Sequence, residues 1–242
     1  MRIVTAGSQI PQLDAPPLQV NETAGTASPP DGAAPLQVRR RYNRLAAVRY
    51  AYRHWNNPNP RFANMDTFGG GGDCANFVSQ CLLAGGWPQD YRETAQDKEW
   101  WYRRVGQAPF DGDGNDWWSC TWAVAEAHFQ YMRANGGQVL NLLASPRLAR
   151  RLRRGDVIYY DWDGDGEMNH SAIVTSFTRG GQPLVTYRTL RPLRPVRNAL
   201  WTLRFRGRAR GIYGVRLPNA PIDHQVPPDF NRLRPCDRTR LG

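Results

Sequence analysis

The sequence predicts an α+β fold in which N-terminal helices pack on an antiparallel β-sheet. Three observations carry that reading. Helical periodicity marks the first half of the chain, with apolar residues at Leu45, Val48, Tyr52 and Trp55 and again at Phe77, Val78, Cys81 and Leu82. From about residue 155 the pattern changes to short β-rich runs separated by Gly, Asp and Pro. The helices come first and the strands second, which is the order of an α+β domain.

Taken in order, residues 1–38 are rich in Pro, Gly, Ala and Thr and show neither period, so they read as a flexible leader. The domain itself is expected over 39–217. Its first helix, Tyr42 to Trp55, is stopped by Asn56-Asn57-Pro58-Asn59-Pro60. A second begins at Cys74 after the glycines 69–72, with Asp73 placed as N-cap and Gly85-Gly86 as the C-terminal stop. A Trp-rich segment follows, and a third helix is expected from about Ser119 to Arg133. The strands are expected at Val157–Tyr160, Ser171–Phe177, Pro183–Thr189, Leu200–Arg206 and Ile212–Leu217. Residues 218–242 hold five prolines and read as an irregular tail.

Composition narrows the functional classes. The formal charge is +11, and all but one of the 32 basic side chains are arginines, Lys98 being the lysine. Such a surface suits an anionic polymer; the arginines are scattered, so nucleic acid is not the expected partner. No run of 18 apolar residues exists, which excludes a spanning helix. The first twenty residues lack an apolar core before their prolines, so no conventional signal peptide is expected, and action outside the cell would need another export route. Cys74, Cys81, Cys120 and Cys236 are irregularly spaced and read as free thiols, and no CxxC pair points to zinc.

Cys74 has the surroundings of a nucleophile. A helix N-terminus lowers a thiol pKa, and first-turn N–H groups without helical partners can stabilise an oxyanion. Cys81 sits on the apolar stripe and reads as structural. Of the four histidines, His54, His128 and His224 read as capping, core or tail residues. His170 opens the β run Ser171-Ala172-Ile173-Val174-Thr175 after an acidic loop, where a fixed imidazole can face a helix N-terminus and serve as base. That loop, with Asp161, Asp163, Asp165 and Gly166, is similar to the first half of a calcium loop, but Ala172 stands where the bidentate Glu belongs. Asp111, Asp113, Asn115 and Asp116 form a second such loop; tight turns explain both, and no cofactor or metal is expected.

Gly71-Gly72-Asp73-Cys74-Ala75-Asn76-Phe77-Val78-Ser79-Gln80 followed by Gly85-Gly86 resembles the nucleophile motif of the putative amidase domain family, related to the NlpC/P60 and CHAP branch of papain-like hydrolases. Tyr42-Asn43-Arg44, Asn57-Pro58, Trp100-Trp101-Tyr102, Gly155-Asp156-Val157-Ile158, Asp161-Trp162 and His170 to Thr175 extend the resemblance over about 42–190. It implies a papain-like fold and cysteine-dependent hydrolysis of peptide or amide C–N bonds, often in bacterial cell-wall peptides. It also implies a polar third residue orienting the histidine. The aligned position holds Arg188, which has no acceptor for an imidazole N–H, so Tyr187 or Thr189 takes the role if the register differs by one. Asp73, Trp100, Trp101 and Trp118 are the candidate substrate contacts. Two other readings stay open: an impaired papain-like protein that binds an anionic polymer, motivated by Arg191–Arg197 and Arg204–Arg210, and a delivered amidase toxin, motivated by the leader.

Overall fold

The helices form where apolar side chains recur at helical spacing, and the computed structural model shows which of their faces are buried. It describes residues 38–68, 72–92, 98–105, 116–189, 194–203 and 209–236. The leader up to residue 37, Asp111 to Asn115, Arg191 to Leu193 and Arg204 to Arg208 lie outside the described residues. Residues 37–242 group into one compact unit.

Strand β1 (Val38–Arg39) leads into helix α1 (Arg44–His54), where the Asn43 side chain accepts the Ala46 N–H at 3.0 Å. Its buried residues are Ala47, Val48 and Ala51, while Leu45 is 52% exposed. The expected stripe was thus rotated, because two alanines, invisible to a count of large apolar residues, let α1 lie close against the next helix. That helix, α2 (Cys74–Ala84), is buried continuously from Cys74 to Leu82. It ends as expected, with the Gly85 N–H on the Cys81 carbonyl at 3.0 Å and Gly86 at φ +84°.

Short strands β2 (Tyr102–Arg103) and β3 (Trp117–Trp118) pair antiparallel. The third expected helix is two pieces, α3 (Cys120–Ala123) and α4 (Ala125–Ala134), broken where β-branched Val124 takes an extended conformation at φ −103°, ψ 129°.

Seven further strands follow among the described residues: β4 (Gln138–Asn141), β5 (Val157–Asp161), β6 (His170–Phe177), β7 (Pro183–Tyr187), β8 (Val196–Leu200), β9 (Gly211–Arg216) and β10 (Ile222–Asp223). The main sheet has the order β4-β9-β5-β6-β7-β8, antiparallel throughout. The strand expected at Leu200–Arg206 lies earlier, at 196–200, because the chain turns from Trp201. Alternation along the strands divides the core into two layers. Val157, Tyr159 and Ile173 meet the helices, whereas Ile158, Tyr160, Ala172, Val174, Val185 and Tyr187 pack with Leu142, Leu152 and Trp201 on the other face.

Polar clamps hold the helices to the sheet. Asp156, fully buried before β5, accepts from Arg44 at 2.6 Å and from the Leu217 N–H at 3.0 Å. Gly155 sits at φ +80°, and a Cβ there would come within 2.7 Å of the Tyr42 hydroxyl, which donates to the Gly155 carbonyl.

The free-thiol expectation fails for two cysteines. Cys120 and Cys236 form a disulfide across 116 residues, and the fold brings together what spacing could not relate. The described part of the tail packs on the domain: β10 pairs with β1, Leu233 is buried, and the Cys236 N–H donates to the Trp118 carbonyl at 2.7 Å. Among the described residues, no helix is long and apolar enough to cross a membrane.

Candidate active site

Cys74 opens α2, and the loop that delivers it is fixed by buried polar contacts. Asp73 occupies the N-cap position, but its carboxylate makes no capping bond. One oxygen accepts the Met65 N–H at 3.0 Å and the Asn76 side-chain amide at 2.6 Å; the other pairs with Arg188, both side chains being almost fully buried. Arg188 also donates to the His54 carbonyl at 3.3 Å and lies over the Phe77 ring. Thr189 Oγ1 accepts the Asp73 N–H at 3.1 Å. Gly72 stands at φ +109°, and a Cβ on it would meet Thr189 Oγ1 at 2.4 Å. Only glycine lets the loop pass that hydroxyl. The arginine that cannot orient an imidazole is therefore the counter-ion of the residue before Cys74.

The thiol faces strand β6. Its contacts are the backbone and hydroxyl of Ser171 and the Ala75 amide, which favour the thiolate. Burial opposes them and is the larger effect, so the Cys74 pKa is pushed up to about 11. The Ser171 hydroxyl itself makes no fully formed hydrogen bond. Cys81, the second free cysteine, is buried deeper on the same helix, and burial raises its pKa too.

His170 is the residue before Ser171, and alternation sends its side chain to the opposite face of the strand. There the ring meets the Tyr187 ring edge-on at 4.5 Å, with Tyr160 at 5.6 Å and Trp162 at 5.9 Å. Burial lowers its pKa to about 3 and its Nε2 has no hydrogen-bond partner. Among the described residues no hydrogen bond joins it to Cys74. The fold thus brings the two expected partners to neighbouring positions, the Cys74 thiol against Ser171 and the His170 ring among Tyr160, Trp162 and Tyr187. Of the third-residue candidates, Tyr187 supplies a ring edge, while Arg188 and Thr189 serve the Asp73 loop.

The expected substrate contacts are placed differently as well. Asp73, Trp100, Trp101 and Trp118 are at most 1% exposed and belong to the interior. Trp100 donates to Ser79 Oγ at 3.1 Å and packs on Trp122. These large flat side chains fill the core at helical and strand junctions, and Trp118 also borders a cleft with Trp117 and Pro235. In the acidic loop, Asp161 accepts the Gly164 and Gly166 N–H groups at 2.6 and 3.2 Å, as a tight turn requires. Asp163 and Asp165 are exposed beside it, with carboxylate oxygens within 4.8 Å of one another.

A second imidazole, read from the sequence as a core residue, lies on the helix-facing side. His128 of α4 is fully buried, with Nδ1 2.6 Å from the Tyr159 hydroxyl and Nε2 without a partner. Burial, the Glu126 carboxylate and the Cys74 thiol all raise the Tyr159 pKa, so phenol and thiol share one low-dielectric layer. Burial lowers the His128 pKa to about 3.

Residues 41–206 match the model of the putative amidase domain family. The chain belongs to that family. The match covers α1, α2 and the strands of the main sheet from β4 to β8. The chain is 36% identical over 148 residues to the uncharacterized protein YhbB of Bacillus subtilis (strain 168); the match covers 61% of this chain and 42% of YhbB. The chain therefore spans less than half the length of that relative. No solved structure matches it.

Proposed function

We propose that the protein is a thiol-dependent amide hydrolase in which Cys74 is the nucleophile and His170 its proton acceptor, acting on peptides of the bacterial cell-wall type. The observation that supports it most is the position of the sulfur at the N-terminus of a buried helix, against the residue that follows His170. In the resting state thiol and imidazole are both neutral. Substrate binding must therefore turn the His170 ring out of its aromatic pocket around the start of β6, a change consistent with its unpartnered Nε2.

The sulfur then attacks the carbonyl carbon as the imidazole takes its proton. The amine leaves with that proton as the C–N bond breaks, and water hydrolyses the thioester. The α2 N-terminus offers positive potential to the developing oxyanion.

His128 is the competing acceptor, because it lies with Tyr159 on the same side of the sheet as Cys74. A non-catalytic reading, a fold that binds an anionic polymer, draws on the neutral resting pair and the net charge of +11. The buried disulfide favours an oxidising compartment, and so action outside the reducing cytosol.

Amine release from muropeptides decides among these. Loss in Cys74→Ala and His170→Ala, with activity kept in His128→Leu, is the expected result. Loss in His128→Leu alone among the histidines moves the base to α4, and no release by the unmodified chain leaves the binding reading.

A further inference from the structure

We propose that a second cleft, separate from Cys74, binds a carboxylate next to an aromatic or apolar body. The cleft lies between α1, the C-terminal half of α2, the turn around Asn59 and strand β2. Its volume of about 380 Å³ falls in the range of small-molecule sites. The inference goes beyond the hydrolase reading and does not depend on it.

The floor of the cleft holds an unused donor. Gln80 is 1% exposed. Tyr50 Oη donates to its Oε1 at 2.8 Å, and Asn59 Nδ2 donates to Tyr50 Oη at 2.9 Å. This chain orients the Gln80 amide and leaves Nε2 buried without a partner. Native interiors rarely leave such a donor unmatched, and it lies in the wall of a cavity.

The rim holds unused charge. Arg61 is exposed and Arg104 half-buried, and both line the cleft. Neither takes part in an ion pair among the described residues. One wall is apolar: Phe62 meets Tyr102 edge-on at 5.0 Å, and Leu83 lies nearby. A planar acid satisfies this set, since each guanidinium can take a carboxylate oxygen and the aryl or alkyl body covers the Phe62 wall. A free small acid and the C-terminus of a peptide share that chemistry.

The test follows the Gln80 side-chain NH2 resonance in Cys74→Ala protein labelled with nitrogen-15, so that no hydrolysis consumes the probe and failure of the hydrolase reading cannot affect the result. Hippurate stands for a free acid and acetyl-Gly-Gly-Phe for a peptide terminus, each compared with its carboxamide. The expected result is a saturable shift of the Gln80 signal with the acids, at least about tenfold weaker with the amides, falling with salt. The surface double variant Arg61→Gln/Arg104→Gln is expected to lose the difference between acid and amide. The probe that saturates at the lower concentration identifies the source. Equal response to acid and amide, or no response to either acid up to its solubility limit, overturns the proposal.

Discussion

Replacing Arg188 by methionine isolates the buried pair that holds the Cys74 loop. The substitution keeps most of the apolar stem over Phe77 but leaves the Asp73 carboxylate, which is 0% exposed, without its cation. Two donors remain on that carboxylate, from Met65 and Asn76, so its charge is only partly compensated. Removing one partner of a buried pair costs about 3–5 kcal/mol. For a unit near 200 residues this corresponds to a fall in Tm of roughly 6–20 °C. The pairing itself is read from a cycle with Asp73→Asn, using urea unfolding followed by tryptophan fluorescence. Once the carboxylate is gone the arginine has no ion-pair partner to lose, so the double variant should be less destabilised than the sum of the singles by about 2 kcal/mol or more. Additivity within about 0.5 kcal/mol would refute the pairing.

Three further outcomes follow from the same contacts. His128 and His170 are both buried neutral, with pKa values lowered to about 3. The unfolded chain therefore binds more protons than the folded one below about pH 6.5, and stability should fall as pH drops from there toward 3, with smaller contributions from His54, His224 and Asp223, whose pKa values are also lowered; His170→Phe should make that fall in urea midpoints shallower, and an unchanged slope would contradict it. Reduction of Cys120–Cys236, or Cys236→Ser, opens a loop of 116 residues and should destabilise by about 2–5 kcal/mol, seen as a lower Tm with reductant; an unchanged Tm would mean that the tail adds nothing. Gly72→Ala places a Cβ 2.4 Å from Thr189 Oγ1 at φ +109°, so activity should drop with far-UV circular dichroism preserved, and the Gly72→Ala/Thr189→Ala double variant should regain part of it; wild-type activity in Gly72→Ala would show the loop tolerates displacement.

The elements that place the site were legible where periodicity is strong. Helix α2 begins and ends at the residues the sequence marks, β7 lies within its expected run, and β5, β6 and β9 match theirs to within one residue at either end. What escaped were features that depend on partners distant in sequence. Arg188 read as an obstacle to catalysis because its carboxylate, Asp73, lies 115 residues away and looked like a helix cap. The Cys120–Cys236 bond joins a helix start to a Pro-rich tail that shows no period of its own. The face on which His170 lies depends on one step of register, which a β run fully buried on both sides does not reveal, since its apolar residues do not alternate. His128 gave no local signal at all; only the packing of α4 on the sheet brings it to Tyr159.

The pH dependence of Cys74 in the free protein and its behaviour toward substrate-like electrophiles bear most directly on the central claim. Burial raises the thiol pKa to about 11, so iodoacetamide should label the resting protein slowly at pH 7 and faster as pH rises toward that value. A peptidyl electrophile that occupies the substrate site should instead label Cys74 rapidly at pH 7, identified by intact mass and peptide mapping, and His170→Ala should abolish that acceleration while leaving the slow iodoacetamide reaction in place. Labelling by the peptidyl reagent no faster than by iodoacetamide, or an acceleration indifferent to His170, would contradict the account.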